Sequence, residues 1–188
     1  MSAARHHRLS LWFSGFLWGL AEATAFFVVP DVLLTFVARR HGLFPALAVM
    51  LFVVAGAMIG GLAMWWIGGA YPEAATGLLD RIPAISRDMI EAAGAAQAQG
   101  PFAALLTGAF SGAPYKVFAA TAQAAGVSPT WFLLITIPAR AVRFVLAIVV
   151  TVAIDQVAAR WLSSRARFWI LAGFWVAFYA VFWAVMPG

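Results

Sequence analysis

Long apolar stretches, interrupted by single charges and by proline or glycine breaks, set the pattern of this chain. Runs with few or no charges cover 9–38, 42–71, 101–139, 141–159 and 168–188. The stretch 72–100 differs: Glu73, Asp80, Arg81, Arg87, Asp88 and Glu91 stand among alanines, and it reads as a short amphipathic helical connection outside the hydrocarbon. A spanning helix needs about 20 residues. The run 9–38 is too long for one comfortable span and too short for two, and Pro30-Asp31 breaks it. The run 101–126 is broken at Ser111-Gly112-Ala113-Pro114, and at about 1.5 Å per residue its first arm, 101–110, is too short to cross as a helix. Both segments therefore predict re-entrant hairpins, bent at Pro30 and at Gly112, Pro114 and Tyr115. Irregular backbone is tolerated at membrane depth only where protein or a wet cavity satisfies its polar groups.

An internal repeat organises these pieces. Pro30, Gly42 and Pro45 recur as Pro114, Gly126 and Pro129, each displaced by 84 positions. In both copies a proline-centred break leads to a short helix, a Gly-x-x-Pro turn and a long apolar helix, 45–69 in the first and 129–154 in the second. Matching element order makes duplication the better reading. The expected fold is an all-α integral membrane protein in one domain. Its first repeat is 9–71 (hairpin 9–38, helix 45–69) and its second is 101–155 (hairpin 101–126, helix 129–154), followed by a transmembrane helix over 168–188.

Basic residues then orient it. With a hairpin followed by a span, Arg5, Arg8, Arg39 and Arg40 share one side, the cytoplasmic one by the positive-inside rule. The acidic-leaning connection falls outside, Arg160, Arg165 and Arg167 return inside, and the segment with Trp169, Trp175 and Trp183 spans outward. The two repeats come out inverted, an arrangement in which transporters place a site near the midplane between facing broken helices. A full span over 9–29 is the alternative, and it would put Arg39 and Arg40 outside.

Composition agrees with lipid as the solvent. The 188 residues are 64% apolar and 10% charged, where soluble domains run to roughly half apolar and a quarter charged. No cysteine is present, which excludes disulfides, thiolate nucleophiles and cysteine-ligated metals. The net charge of +5 sits mostly at the ends of apolar runs, which argues for topology and headgroups and against nucleic acid. Arg5, Arg8 and Ala23-Thr24-Ala25 loosely imitate a signal peptide, but Glu22 adjoins the cleavage site and the apolar run continues beyond it, so the segment is expected to be retained.

Five charges cannot reach an interface in this topology: Glu22, Asp31, Lys116, Arg140 and Arg143. Each costs roughly 2.5–3.5 kcal/mol at a helix centre unless it meets a partner, water or ligand. Arg140 and Arg143 lie one turn apart and share a face. They suit a guanidinium clamp on phosphate or carboxylate, or equally a pair of salt bridges to Glu22 and Asp31. Glu22 and Asp31 flank the first bend and are candidates for proton coupling or gating, with a helix cap after Pro30 as the plainer role for Asp31. Lys116, just past the second bend near a half-helix N-terminus, favours an anion, unless it snorkels to the surface. Gly15, Gly56, Gly60 and Gly61 fit close helix approach. His6, His7 and His41 show no metal-ligand spacing. Neither a metal site nor a cofactor is expected, and no catalytic constellation appears, so the chain does not read as an enzyme.

At these residues the chain resembles the DedA/VTT superfamily, in particular its short YqaA-like branch. The matching stretches are AEATAFFVVPDVLL around Glu22 and Asp31, GAPYKVFAATAQAAG from Gly112 to Gly126, RAVRFVLA from Arg140, and the glycine-rich AGAMIGGLAMWWIGG; together they cover most of 15–155. The PYKVF and RxxRF elements, in that order, are the specific ones. The resemblance implies two opposed re-entrant hairpins in a bacterial-type plasma membrane. It also implies proton-motive-force-dependent movement of phospholipid or undecaprenyl phosphate, with Glu22 and Asp31 on the acidic motif and Arg140 and Arg143 on the functional arginines. The chain departs from the pattern at VVPD, where many members have a second proline, and at GAPYK, where longer members carry an arginine. The expected partners are anionic or phosphate-bearing membrane lipids, with a homo-oligomer left open. A proton-coupled exporter of a small solute and a non-transporting scaffold locked by buried ion pairs are the alternatives.

Overall fold

The computed structural model describes residues 2–185, with side chains described from Leu9 onward. The side chains of Arg5, His6, His7 and Arg8 and residues 186–188 lie outside the described residues, and with them that part of the charge reading. Among the described residues all regular structure of the chain is helical, with no strand. Its elements are α1 (Ser2–Glu22), α2 (Asp31–His41), α3 (Leu43–Ala70), α4 (Pro72–Leu79), α5 (Arg87–Gln99), α6 (Pro101–Ser111), α7 (Tyr115–Ala122), α8 (Pro129–Ala158) and α9 (Ser164–Val185). Helices α3, α8 and α9, of 28, 30 and 22 residues, are long and apolar enough to cross a membrane.

Local chemistry explains the boundaries and where they differ from the sequence reading. Helix α3 starts at Leu43, ahead of Pro45, because the first turn of a helix leaves its N–H groups unbonded and so accepts proline. Ser128 caps α8, its Oγ accepting from the Trp131 amide, and Pro129 takes the first helical position. That helix continues past 154 to Ala158. Helix α9 begins at Ser164 and not at 168, since Ser163 Oγ accepts from the Ala166 amide and starts the helix upstream of the arginines. The connection 72–100 is two helices: Pro72 opens α4, and Ser86 caps α5. Gly42 (φ 84°) and Gly126 (φ 79°), matched by the 84-residue displacement, both take left-handed backbone, which a side chain would resist.

Contacts set the helix directions. Gly15 lies against Val49, Gly56 against Phe16 and Gly60 against Leu20, so α1 and α3 run side by side in the same sense. A methyl at Gly19 or Gly56 would collide with a backbone carbonyl of the facing helix, so the two backbones approach as closely as small-residue membrane packing permits. Gly61 faces Tyr115 and Gly68 faces Ala120, so α7 also runs along α3. Helix α8 runs the other way, with Trp65 Nε1 bonded to the Val127 carbonyl at its start. Arg39 and Thr35 of α2 and Val29 just before it meet Ser164, Trp175 and Tyr179 in reverse order, so α9 is antiparallel to α2.

Two apolar cores result. Leu34, Val37, Val49, Val53, Phe144 and Ile148 form one; Ala57, Met64, Tyr115, Phe118, Phe132 and Ala139 belong to the other. On α8 the second core ends at Ala139 and the first resumes at Phe144, so Arg140 and Arg143 lie in the layer between them. Outward faces are apolar as well: Leu51, Ile59, Leu146, Val149 and Val176 are all exposed, and α9 buries no residue. Patches of this extent call for lipid as solvent.

Candidate functional site

The layer between the cores is where the chain interrupts its helices. The first break, 23–30, separates Glu22, the last residue of α1, from Asp31, the first of α2; the second, 112–114, separates α6 from α7. Three side chains, one from α1 and two from distant elements, satisfy the first break's backbone. Trp18 Nε1 donates to the Val28 carbonyl (2.9 Å), Lys116 Nζ to the Phe26 carbonyl (2.7 Å), and the Tyr179 hydroxyl accepts from the Val29 amide (2.9 Å). Protein thus supplies what lipid cannot.

Around this layer lies a cavity of about 110 Å³ whose lining includes Glu22, Asp31, Lys116, Arg140 and Arg143. One water needs roughly 10–15 Å³ on this scale, so there is room for several waters or a small polar headgroup. Glu22, Asp31, Lys116 and Arg140 are 5%, 3%, 1% and 8% exposed. Pro30, Gly112, Pro114 and Tyr115 also line it. Tyr115, grouped with the bend in the sequence reading, opens α7 instead, with its ring packed in the core. The strap between α4 and α5 closes over the cavity with Ile82, Pro83, Ala84 and Ile85. Ala84 holds a left-handed φ of 68° there, a conformation costing a non-glycine residue about 1–2 kcal/mol.

The two arginines are held differently. Arg143 grips Asp31 with both ends of its fork, Nε to Oδ1 at 3.1 Å and a terminal nitrogen to Oδ2 at 2.9 Å, and its other terminal nitrogen donates to the Ala109 carbonyl at 2.9 Å. That pair ties α2, α6 and α8 together. Asp31 does not serve as a helix cap; both its oxygens go to Arg143. Arg140 meets Glu22 through a single nitrogen at 2.6 Å, and its Nε is buried with no acceptor. Its guanidinium lies 4.4 Å from the Tyr115 ring and 5.0 Å from that of Phe144, stacking that orients it without using its N–H groups. The Tyr115 hydroxyl bonds to Thr136 at 3.1 Å, which fixes the ring. Lys116 takes part in none of the ion pairs among the described residues.

The sequence pattern does not single out Thr136, Phe144, Tyr179 or the stacking role of Tyr115. The only available signal was tyrosine in apolar helical runs, whose hydroxyl calls for a partner when buried. Asp155, inside a nearly uncharged run, pairs with Arg167 at the far end of α8, away from the cavity. Among the described residues no three potential metal ligands cluster. Comparison with family models, with curated proteins and with solved structures finds no match.

Proposed function

We propose that the chain carries an anionic, phosphate-bearing lipid across a membrane, binding the headgroup oxyanion at Arg140 and Lys116 with Arg143 behind them. The observation that carries this reading is the unequal hydrogen bonding of the buried cations. Arg143 has acceptors for all three of its nitrogens, whereas Arg140 keeps a buried Nε without one and Lys116 holds only a carbonyl. Spare donors of fork geometry in a low-dielectric cavity bind tetrahedral oxyanions well. Aromatic residues Phe26, Phe27, Phe178 and Phe182 on the same cavity suit the apolar part of a lipid.

On this reading α1–α2 and α6–α7 are the two re-entrant hairpins of an inverted repeat, and the chain is a member of the DedA/VTT superfamily in a bacterial-type plasma membrane. The end bearing Arg39, Arg40, Arg160 and Arg165 faces the cytoplasm. Protonation of Glu22 loosens its hold on Arg140 and turns that arginine toward substrate; Asp31 gates through Arg143. The bidentate Arg143–Asp31 pair favours a second reading, a scaffold in which every charge serves only to lock the helices. Purified protein reconstituted into vesicles, with fluorescent anionic lipids whose outer-leaflet signal is quenched, separates the two. Accelerated equilibration of an anionic lipid is expected, and rates equal to those of empty vesicles leave the scaffold.

A further inference from the structure

Charge balance in the cavity limits what it can hold. Glu22 of α1 and Asp31 of α2 oppose Lys116 of α7 and Arg140 and Arg143 of α8; Tyr115 and Tyr179 are the other titratable side chains lining it. The segment 82–85 and helix α6 contribute no titratable group to the lining. Glu22 cancels Arg140 and Asp31 cancels Arg143 at ion-pair distance, leaving one positive charge, on Lys116. An uncompensated charge in a low-dielectric layer is costly, and one negative charge from a ligand removes that cost. A second negative charge restores it with opposite sign.

We infer that this cavity takes a singly charged oxyanion without a proton and a doubly charged one only together with a proton. This rests on the reading of the site as an anion carrier. A phosphodiester headgroup, with one charge, enters as it is. A phosphomonoester, close to two charges above neutral pH, enters with one proton taken from water. That proton sits on Glu22, whose single contact to Arg140 is the weaker of the two carboxylate grips, or on the phosphate itself. The neutral complex holds one proton more than its separated parts, so monoester binding weakens as pH rises, by about tenfold per unit.

The test uses the full chain in phosphatidylcholine vesicles carrying either fluorescent phosphatidylglycerol, a diester, or fluorescent phosphatidic acid, a monoester. Lipid movement is followed between about pH 7 and 9, where the monoester is doubly charged. A level rate for the diester with a steep decline for the monoester is expected; equal slopes overturn the charge rule and leave the carrier standing. Lys116→Gln supplies a second arm, because it brings the site to neutrality. The diester, which has no titration of its own in this range, must then acquire the slope of about tenfold per unit. A flat diester profile in this variant, or no movement at any pH, overturns the inference. Entrapped dimethyl phosphate and methyl phosphate separate lipid from soluble sources. Their passage with the same two pH profiles, in vesicles whose lipids stay put, retains the charge rule and overturns the lipid reading.

Discussion

Arg140 and Arg143 differ in how many of their nitrogens meet an acceptor. Arg143 bonds to Asp31 and Ala109 through all three of its nitrogens, whereas Arg140 is held by one bond and two rings. Arg140→Ala is expected to abolish lipid movement in vesicles. Arg140→Lys should restore a minor part of it, since an ammonium has neither the planar fork nor the stacking face; full activity in the alanine variant would remove Arg140 from the site. Glu22→Gln strands Arg140 in a buried layer. Breaking a buried pair typically costs about 3–5 kcal/mol, so a clear fall in detergent melting temperature is expected, with the monoester's pH slope lost in the protein that remains folded. Unchanged melting would mean that Glu22 is not Arg140's structural partner. Lys116→Met should act oppositely. It removes the surplus charge, so melting temperature rises while anion movement falls, the exchange of stability for function seen where a site is kept unfavourable for its ligand. Lower melting would show that the bond to the Phe26 carbonyl outweighs the charge.

At the level of elements, glycine sets how near the helices come. Gly56→Val would drive a branched side chain into the Phe16 carbonyl and push α1 from α3, shifting Glu22 at the end of α1 out of reach of Arg140. Loss of folded yield on size exclusion is expected. Gly77 in α4 has nothing within 4 Å of an added methyl, so Gly77→Ala is expected to raise stability by up to about 1 kcal/mol through helix propensity. Thermal melts of the two variants side by side check both. The same paired arrangement explains why the breaks were readable in the sequence: proline and glycine have local conformational demands that need no knowledge of the rest of the molecule. Which polar groups satisfy the first break was not readable. Its partners Lys116 and Tyr179 stand 90 and 150 residues further along the chain.

The whole molecule is polarised, with Arg40 and Arg165 exposed near the end where α2 and α9 meet, and Arg87 exposed beside the α4–α5 strap. The chain has no cysteine, so single-cysteine variants at these positions report sidedness without background. Positions 40 and 165 are expected to label from one side of the membrane and 87 from the other; labelling of 40 and 87 from the same side would end the inverted arrangement. By itself the sequence determined the long apolar helices and the places where helices break. Hydropathy over about 20 residues and the backbone limits of proline and glycine are local properties that act wherever the segment ends up. It also marked five charges within apolar runs, and all five line one cavity. Only the tertiary structure decided that Asp31 goes to Arg143 with a full fork, that Glu22 goes to Arg140 with one bond, and that Lys116 goes to a carbonyl. Those choices depend on how far α1 slides along α3 and how α8 turns beside them, and such offsets arise from packing summed over the whole interface, where no single residue's character reveals them.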